Sequence, residues 1–503
     1  MLLELHCHTN KHSSCSKIDP VELVNKVFRK HLQGMVITEH QYLWTDEEIG
    51  NLKKKASVGD DFLILSAQEV ATEIGHVLVF GAAESIKKET TLGKLRVDWP
   101  DAALVWAHPF REGRIPDKKY FLSADLDAVE IFSGNHTARE NVLGLSFWHT
   151  HKFTAVAGSD THSSGFSAIL PTQFDHPVRG IKELASEIRG GRCRPFFKEI
   201  PKSGSNITVT ELTLGTKGND EFRDRIILKQ VSDGKKWKKL EESTRILQEV
   251  YSRGFKKGAF RVPAVIDKDD GKMLVMEEGQ RGKSLFDLLA NINPAAGRNY
   301  FELSAKWLAR LHSLKLELTG AGETAKKEKK RIESYLKSFI GVDSPYAREA
   351  EKLIKFVKEG EEGYFKKDSS LFIQNHGDYH PKNIIIGQDL NHDISTLFVS
   401  VIDFGNSVRF LKEYDVGYFL AQFSSQLGAL PGIKELYPEE QFLGFYAREA
   451  GVEDGKSFMK KVNFFKIRAN LSIAAYFIKV GKGDGPEMDR LISESMDIYG
   501  RIV

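Results

Sequence analysis

Asn375-His376-Gly377-Asp378-Tyr379-His380-Pro381-Lys382-Asn383, followed by Val401-Ile402-Asp403-Phe404-Gly405, is the stretch that orders the second half of this chain. Two short apolar runs, 383–386 and 397–402, separate its polar clusters and have the composition of strands. Working upstream, Arg225-Ile226-Ile227-Leu228-Lys229-Gln230-Val231 and Met273-Leu274-Val275-Met276 flank a helical pattern over 238–251, so residues 206–278 are strand-rich. From about residue 285 onward helical periodicity dominates. The layout predicts a two-lobed α+β domain, with a small lobe over 206–278 and a larger one over 279–503.

Phosphoryl transfer from a nucleotide needs a carboxylate beside the acceptor hydroxyl, ligands for Mg²⁺ and a cation on the non-reacting phosphates. Asp378 and Asn383 stand at the spacing of a kinase catalytic loop, and Asp403 follows in Asp-Phe-Gly. Lys229 then fits the phosphate-binding lysine, and Glu242 its partner, with Glu241 and Glu249 competing for that place. Gly215 and Gly218 fit either a hairpin tip over the phosphates or an ordinary turn. Met276 to Gly279 would form the hinge that meets adenine.

With His-Gly-Asp at 376–378 where protein kinases carry His-Arg-Asp, residues 206–503 resemble the aminoglycoside phosphotransferase and choline kinase family. The resemblance implies a protein-kinase-like fold, ATP and Mg²⁺ as cofactors, Asp378 as catalytic base, and Asn383 and Asp403 as Mg²⁺ ligands; Asp415 is expected to be structural. No Ala-Pro-Glu follows Asp403, which favours a small hydroxylated acceptor over a peptide. Family analogy leaves that acceptor open.

The first 200 residues have a different pattern. Apolar strand-like runs at 2–5, 34–38, 62–65, 76–80, 102–106, 126–132 and 153–157 alternate with helical segments, one of them opened by Asp19-Pro20 and another running over 137–147. Twelve of the sixteen histidines lie in residues 1–176, several where these runs end: Leu5-His6-Cys7-His8, Thr38-Glu39-His40, Ala107-His108-Pro109 and Gly158-Ser159-Asp160-Thr161-His162. Chemistry at strand ends around one mouth suggests a barrel of seven βα-like repeats. A break is expected near Ile200-Pro201-Lys202-Ser203-Gly204-Ser205.

His6 and His8, two residues apart on a strand end, point the same way. Together with His40, Glu69, His76, His108, Asp160 and His162 they form a set of imidazole and carboxylate groups suited to metal ions. These motifs resemble the polymerase and histidinol phosphatase (PHP) family, with His-x-His, Glu-His, Ala-His-Pro and Gly-Ser-Asp-x-His in order over about 190 residues. The resemblance implies a distorted (βα)7 barrel, hence an α/β fold, and metal ligation by His6, His8, His40, Glu69, His108, Asp160 and His162, with Glu69 bridging. His76 is ligand or substrate contact, and Arg111 a phosphate clamp or a surface residue. Where family members often carry Asp or His after His-x-His, this chain has Ser13 and Ser14, with His12 nearby. His136, His149 and His151 are expected on a helix surface. The implied cofactors are two or three divalent cations (Mn, Zn or Fe), which activate a water for hydrolysis of a phosphate ester.

Length alone favours two or three domains, here 1–200 and 206–503. The +3 net charge, 41% apolar and 28% charged content are those of an ordinary globular protein, and Lys326-Lys327-Glu328-Lys329-Lys330 has the composition of a solvated helix face. Three cysteines form no disulfide framework, and neither a leader nor a membrane span is apparent, so a cytoplasmic enzyme is expected. The combined expectation is a metal-dependent phosphoesterase joined to an ATP-dependent kinase. Its partners would be a small phosphate ester and a hydroxylated acceptor, with no membrane. Two alternatives stay open: a nucleic-acid end-processing enzyme, which the small net charge disfavours, and a kinase carrying a non-catalytic metal-binding module.

Overall fold

The computed structural model describes residues 1–163, 169–202, 207–214, 225–291, 294–341, 344–389 and 393–503. Gly215, Gly218 and part of the expected break at 200–205 lie outside them. The chain divides into two compact units: Met1–Val231 with Ile266–Gly279, and Ser232–Val265 with Gln280–Val503.

In the first unit, strands β1 (Leu2–Glu4), β2 (Gly34–His40), β3 (Leu63–Thr72), β4 (Gly75–Phe80), β5 (Ala103–Trp106), β6 (Ala128–Ser133), β7 (Ala155–Gly158), β8 (Thr172–Phe174) and β9 (Cys193–Pro195) form a nine-stranded sheet. Its order is β7-β6-β5-β4-β3-β2-β1-β8-β9. Alternation along β2 explains its burial on both faces. Met35 and Ile37 pack with Leu23, Val24 and Val27 of the helix Pro20–Phe28, while Val36 packs on the opposite face with Leu3, Leu5 and Leu78. That helix starts where the sequence predicts, the Asp19 carboxylate accepting from the Val21 and Glu22 amides with Pro20 in the first turn. Just beyond β1 and β7, Cys7 and Thr161 form a parallel bridge, which curls the sheet nearly into a barrel.

The barrel departs from regular βα repeats. β3 and β4 are antiparallel, as are β4 and β5. Thr72 pairs with Gly75 across a hairpin, and so short a link cannot return a chain in parallel.

A second, antiparallel sheet in the same unit contains β10 (Phe197–Lys202), β11 (Thr208–Leu214) and β12 (Arg225–Gln230), then Leu274–Glu278 and Val265–Asp269. Pro201, expected to stop regular structure, is inside β10 opposite Thr210. This strand is at the sheet edge, where a residue without an N–H costs no ladder bond. Leu212, Leu214, Ile226 and Ile266 join Trp106, Phe110, Val129 and Phe132 in one apolar cluster, so this sheet shares a core with the barrel.

The second unit is mostly helical. Two small sheets, one holding Ile384–Gln388 and Leu397–Val401 and the other Ile373–Asn375 with Val408–Phe410, sit among helices that include Glu413–Leu427 and Gly455–Lys479. Trp307, Tyr379, Phe301 and Phe419 fill one core, and Phe410, Tyr414 and Phe465 another. In the lysine-rich run Lys326, Lys329 and Lys330 are solvated, but Glu328 is fully buried and bonded to Arg331 and Arg468. No helix among the described residues is long and apolar enough to cross a membrane.

Candidate metal centre and catalytic loop

The ends of β1, β2, β3, β4, β5 and β7 bring eight sequence-predicted residues together. Nε2 of His6 and of His8 lie 3.2 Å apart, so the two rings converge. The Glu69 carboxylate is central: Oε2 is 3.1 Å from His8, 3.5 Å from His6 and 3.5 Å from His40, while Oε1 is 2.7 Å from His76 and 3.0 Å from His108. Asp160 Oδ1 lies 3.4 Å from ring nitrogens of His6, His8 and His162. Arg111 Nη1 stands 3.8 Å from Asp160 Oδ2.

Donor atoms gather in three groups, each within 4.8 Å: His6, His8, Glu69 and Asp160; Glu69, His76 and His108; and His8, Cys15, His40 and His162. Asp160 Oδ1 is buried and receives no hydrogen bond, although an unsatisfied buried carboxylate oxygen is costly. A cation among these atoms supplies what the protein does not, so the residues fit divalent metal. Burial opposes charge on Glu69, but His6, His108 and His76 outweigh it and hold the carboxyl well below its ordinary range. Burial likewise opposes protonation of His6, and Glu130, Asp160 and Glu69 outweigh it and raise the imidazole. Backbone strain marks the same places, with positive φ at Gln41 (57°), His108 (31°) and Asp160 (49°).

Sequence reasoning missed the residues behind these ligands. Glu130 on β6 accepts from His6 Nδ1 at 3.0 Å and from the His108 amide at 2.8 Å, fixing both. Glu4 accepts from the His6 and Ser159 amides, and Glu39 from Ser13, Thr9 and Trp44. Each is a buried carboxylate inside an apolar strand, which is the signal available in the sequence. Ser13 thus supports Glu39, while Cys15 joins the third donor group. His136 is buried and bonded to Asn141, whereas His149 is exposed.

In the second unit the catalytic-loop residues are held by backbone bonds. The buried Asp415 carboxylate accepts from the amides of His376 (2.6 Å) and Gly377 (2.8 Å), and His376 Nε2 bonds to the Ile402 carbonyl. Tyr379 stacks on Trp307 and donates to Ser304 O. Asp378, anchored in this way, accepts from Tyr418 Oη at 2.6 Å. Asn383 Nδ2 donates to Asp378 O at 3.0 Å, and Asp403 has φ of 68°. In the first unit Lys229 Nζ pairs with Glu277 at 2.8 Å, and Met276 lies on the neighbouring strand. Glu242, in the second unit, lies 3.6 Å from Lys327. Glu277 was not singled out by the sequence reading.

Residues 212–446 match the phosphotransferase enzyme family, APH. The match spans a little under half of the chain and includes Lys229, Met276, Asp378, Asn383 and Asp403. Solved structures similar to the chain include an ethanolamine kinase of Plasmodium vivax (14% identity, TM-score 0.38, 60% of this chain and 82% of that one). A choline kinase of Cryptosporidium parvum (14%, 0.43, 61% and 89%) and an aminoglycoside phosphotransferase of Streptomyces rimosus with ADP and streptomycin (16%, 0.38, 55% and 91%) are also similar. No curated protein matches the sequence.

Proposed function

We propose that the chain is a cytoplasmic bifunctional enzyme: a PHP-type metal-dependent phosphoesterase over residues 1–200 and an ATP-dependent small-molecule kinase over 206–503. The observation that carries the first half is the convergence of His6, His8, Glu69 and Asp160 around the unsatisfied Asp160 Oδ1. The second half rests on the family match, which includes the loop aspartate. All three cysteines are free, consistent with a reducing compartment.

In the phosphoesterase, His6, His8, Glu69 and Asp160 would hold one divalent cation, and Glu69, His76 and His108 a second. His8, Cys15, His40 and His162 would hold a third. Such cations, Mn, Zn or Fe, supply Lewis acidity and a nucleophilic water at neutral pH. In the hydrolysis a water oxygen forms the new P–O bond, the ester P–O bond breaks, and the water's proton ends on the leaving alcohol. Glu130 and Glu4 keep the His6 ring and backbone in place, and Arg111 holds a phosphoryl oxygen.

In the kinase, Asp378 takes the acceptor hydroxyl proton while the γ-phosphoryl moves to that oxygen and ADP leaves. Asn383 and Asp403 would hold Mg²⁺, Lys229 would neutralise ATP phosphates and Met276 would lie by adenine; the partner that steadies the lysine is Glu277, not the expected Glu242, which pairs with Lys327. Tyr418, bonded to Asp378 Oδ1, keeps the base oriented. The acceptor is a small hydroxylated molecule; choline, ethanolamine and aminoglycosides are the first to test. His8→Ala should abolish ester hydrolysis and keep ATP-dependent transfer, and Asp378→Ala should do the reverse. Hydrolysis surviving in His8→Ala would remove the metal assignment.

A further inference from the structure

Beside the candidate metal centre is a cavity of about 610 Å³ with His76 and His108 in its lining. Both rings reach Glu69 Oε1, so a molecule filling the cavity abuts the donor cluster. The size is that of a small-molecule site. The remaining wall separates into two chemistries. Ile74, Trp106, Pro109, Ile115, Pro116 and Tyr120 present apolar and aromatic surface. Trp106 is fixed by its Nε1 donating to Ile74 O at 3.1 Å and by an edge contact with Tyr120, so it is a rigid platform. Ile115 at the rim is 72% exposed.

Charges on that wall are mostly satisfied within the protein. Arg114 donates to Glu112, Glu73 accepts from the Leu92 amide, and Asp117 accepts from the Lys119 amide. Arg111, by contrast, extends toward Asp160. Demand for an anion is therefore concentrated at the metal end. The wall segment is held in a strained form, with positive φ at Glu112 (62°) and Gly113 (71°) and the Gly113 amide donating to Glu140. Non-glycine backbone there persists only when the surroundings enforce it.

We infer that this cavity is the subsite for the organic part of the substrate, and that the substrate is a phosphate ester of a neutral, ring-bearing alcohol, with the ring against the surface that Tyr120, Ile115 and the edge of Trp106 present. The inference rests on the phosphoesterase reading and adds the substrate class to it. Apart from Arg111, the lysine and arginine side chains of the lining come to Arg114 alone, so a second phosphate or a carboxylate on the alcohol would have to compete with Glu112 for it.

The test uses the full-length protein with Mn²⁺ and two non-hydrolysable probes, benzylphosphonate and methylphosphonate, measured by calorimetry. The corresponding esters, benzyl phosphate and methyl phosphate, are assayed for turnover. Wild type should bind the benzyl probe about tenfold tighter or more, a difference of about 1.4 kcal/mol. Ile115→Glu, at an exposed position that folding tolerates, and Tyr120→Ala should bring the ratio near one and raise KM for benzyl phosphate with little change in kcat. Equal binding of the two probes by wild type, or a ratio unmoved in both variants, overturns the subsite. Preferential benzyl binding without hydrolysis of either ester keeps the subsite and removes the phosphoesterase reading instead.

Discussion

Asp160 and Glu69 differ in their surroundings at the candidate metal centre. Glu69 has imidazoles close to both oxygens, whereas the buried Asp160 Oδ1 has three imidazole nitrogens at 3.4 Å and no aligned hydrogen bond. The histidines were legible because imidazoles at the ends of apolar runs are conspicuous. Glu130 was not, since its partner His6 is 124 residues away and only folding joins them. Cys15 was equally hidden, its role depending on a loop path that no spacing encodes. Because Glu130 fixes the His6 ring, Glu130→Gln should weaken cation affinity by roughly 10–100-fold, read as metal content after dialysis against graded chelator. At the other site, removing the Asp378 carboxylate with Asp378→Asn should lower phosphotransfer by about 10²–10⁴-fold. Tyr418→Phe removes a donor to that carboxylate and should shift the pH–rate profile of transfer, while a packing role alone would leave the profile in place.

Elements were easier to read than the links between them. All seven barrel strands expected from the sequence form, because runs such as Met35-Val36-Ile37 need burial on both faces. The parallel order was over-extended: the β3–β4 hairpin is set by a three-residue step from Thr72 to Gly75, which apolar periodicity does not register. Pro201 likewise signalled a break that an edge strand accommodates. Close approach makes one loop position decisive. Gly377 has φ of 82°, and an added Cβ would meet the Asn406 carbonyl oxygen at 2.0 Å. Gly377→Ala should therefore cost about 1–3 kcal/mol of strain and displace Asp378. Kinase turnover should fall sharply while the metal content of the barrel stays at the wild-type level.

Across the whole molecule, the first compact unit runs on to Val231, past residue 200, because the apolar faces of β11 and β12 join the barrel core. Sequence motifs mark chemistry, not compactness, so that division was not legible. The second unit carries its own pH signature. Glu361 is buried against Arg468 and Glu328, and burial first, then the Glu328 charge, raises its carboxyl from 4.5 to about 8. The folded state thus holds this proton more tightly than the unfolded chain. The resulting stabilisation is complete below about pH 4.5 and lost as pH rises toward 8. Glu361→Gln should flatten the fall in melting temperature over that interval, and an unchanged slope would remove Glu361 as its source. Assaying wild type, His8→Ala and Asp378→Ala side by side separates the two proposed sites most directly. Each full-length protein is given Mn²⁺, Mg²⁺, ATP, benzyl phosphate and a metabolite extract, with inorganic phosphate released from the ester and phosphorylated products followed by mass spectrometry. Loss of hydrolysis alone in His8→Ala and of phosphorylated product alone in Asp378→Ala is the predicted result; both activities failing together in either variant, or hydrolysis persisting in His8→Ala, would contradict it.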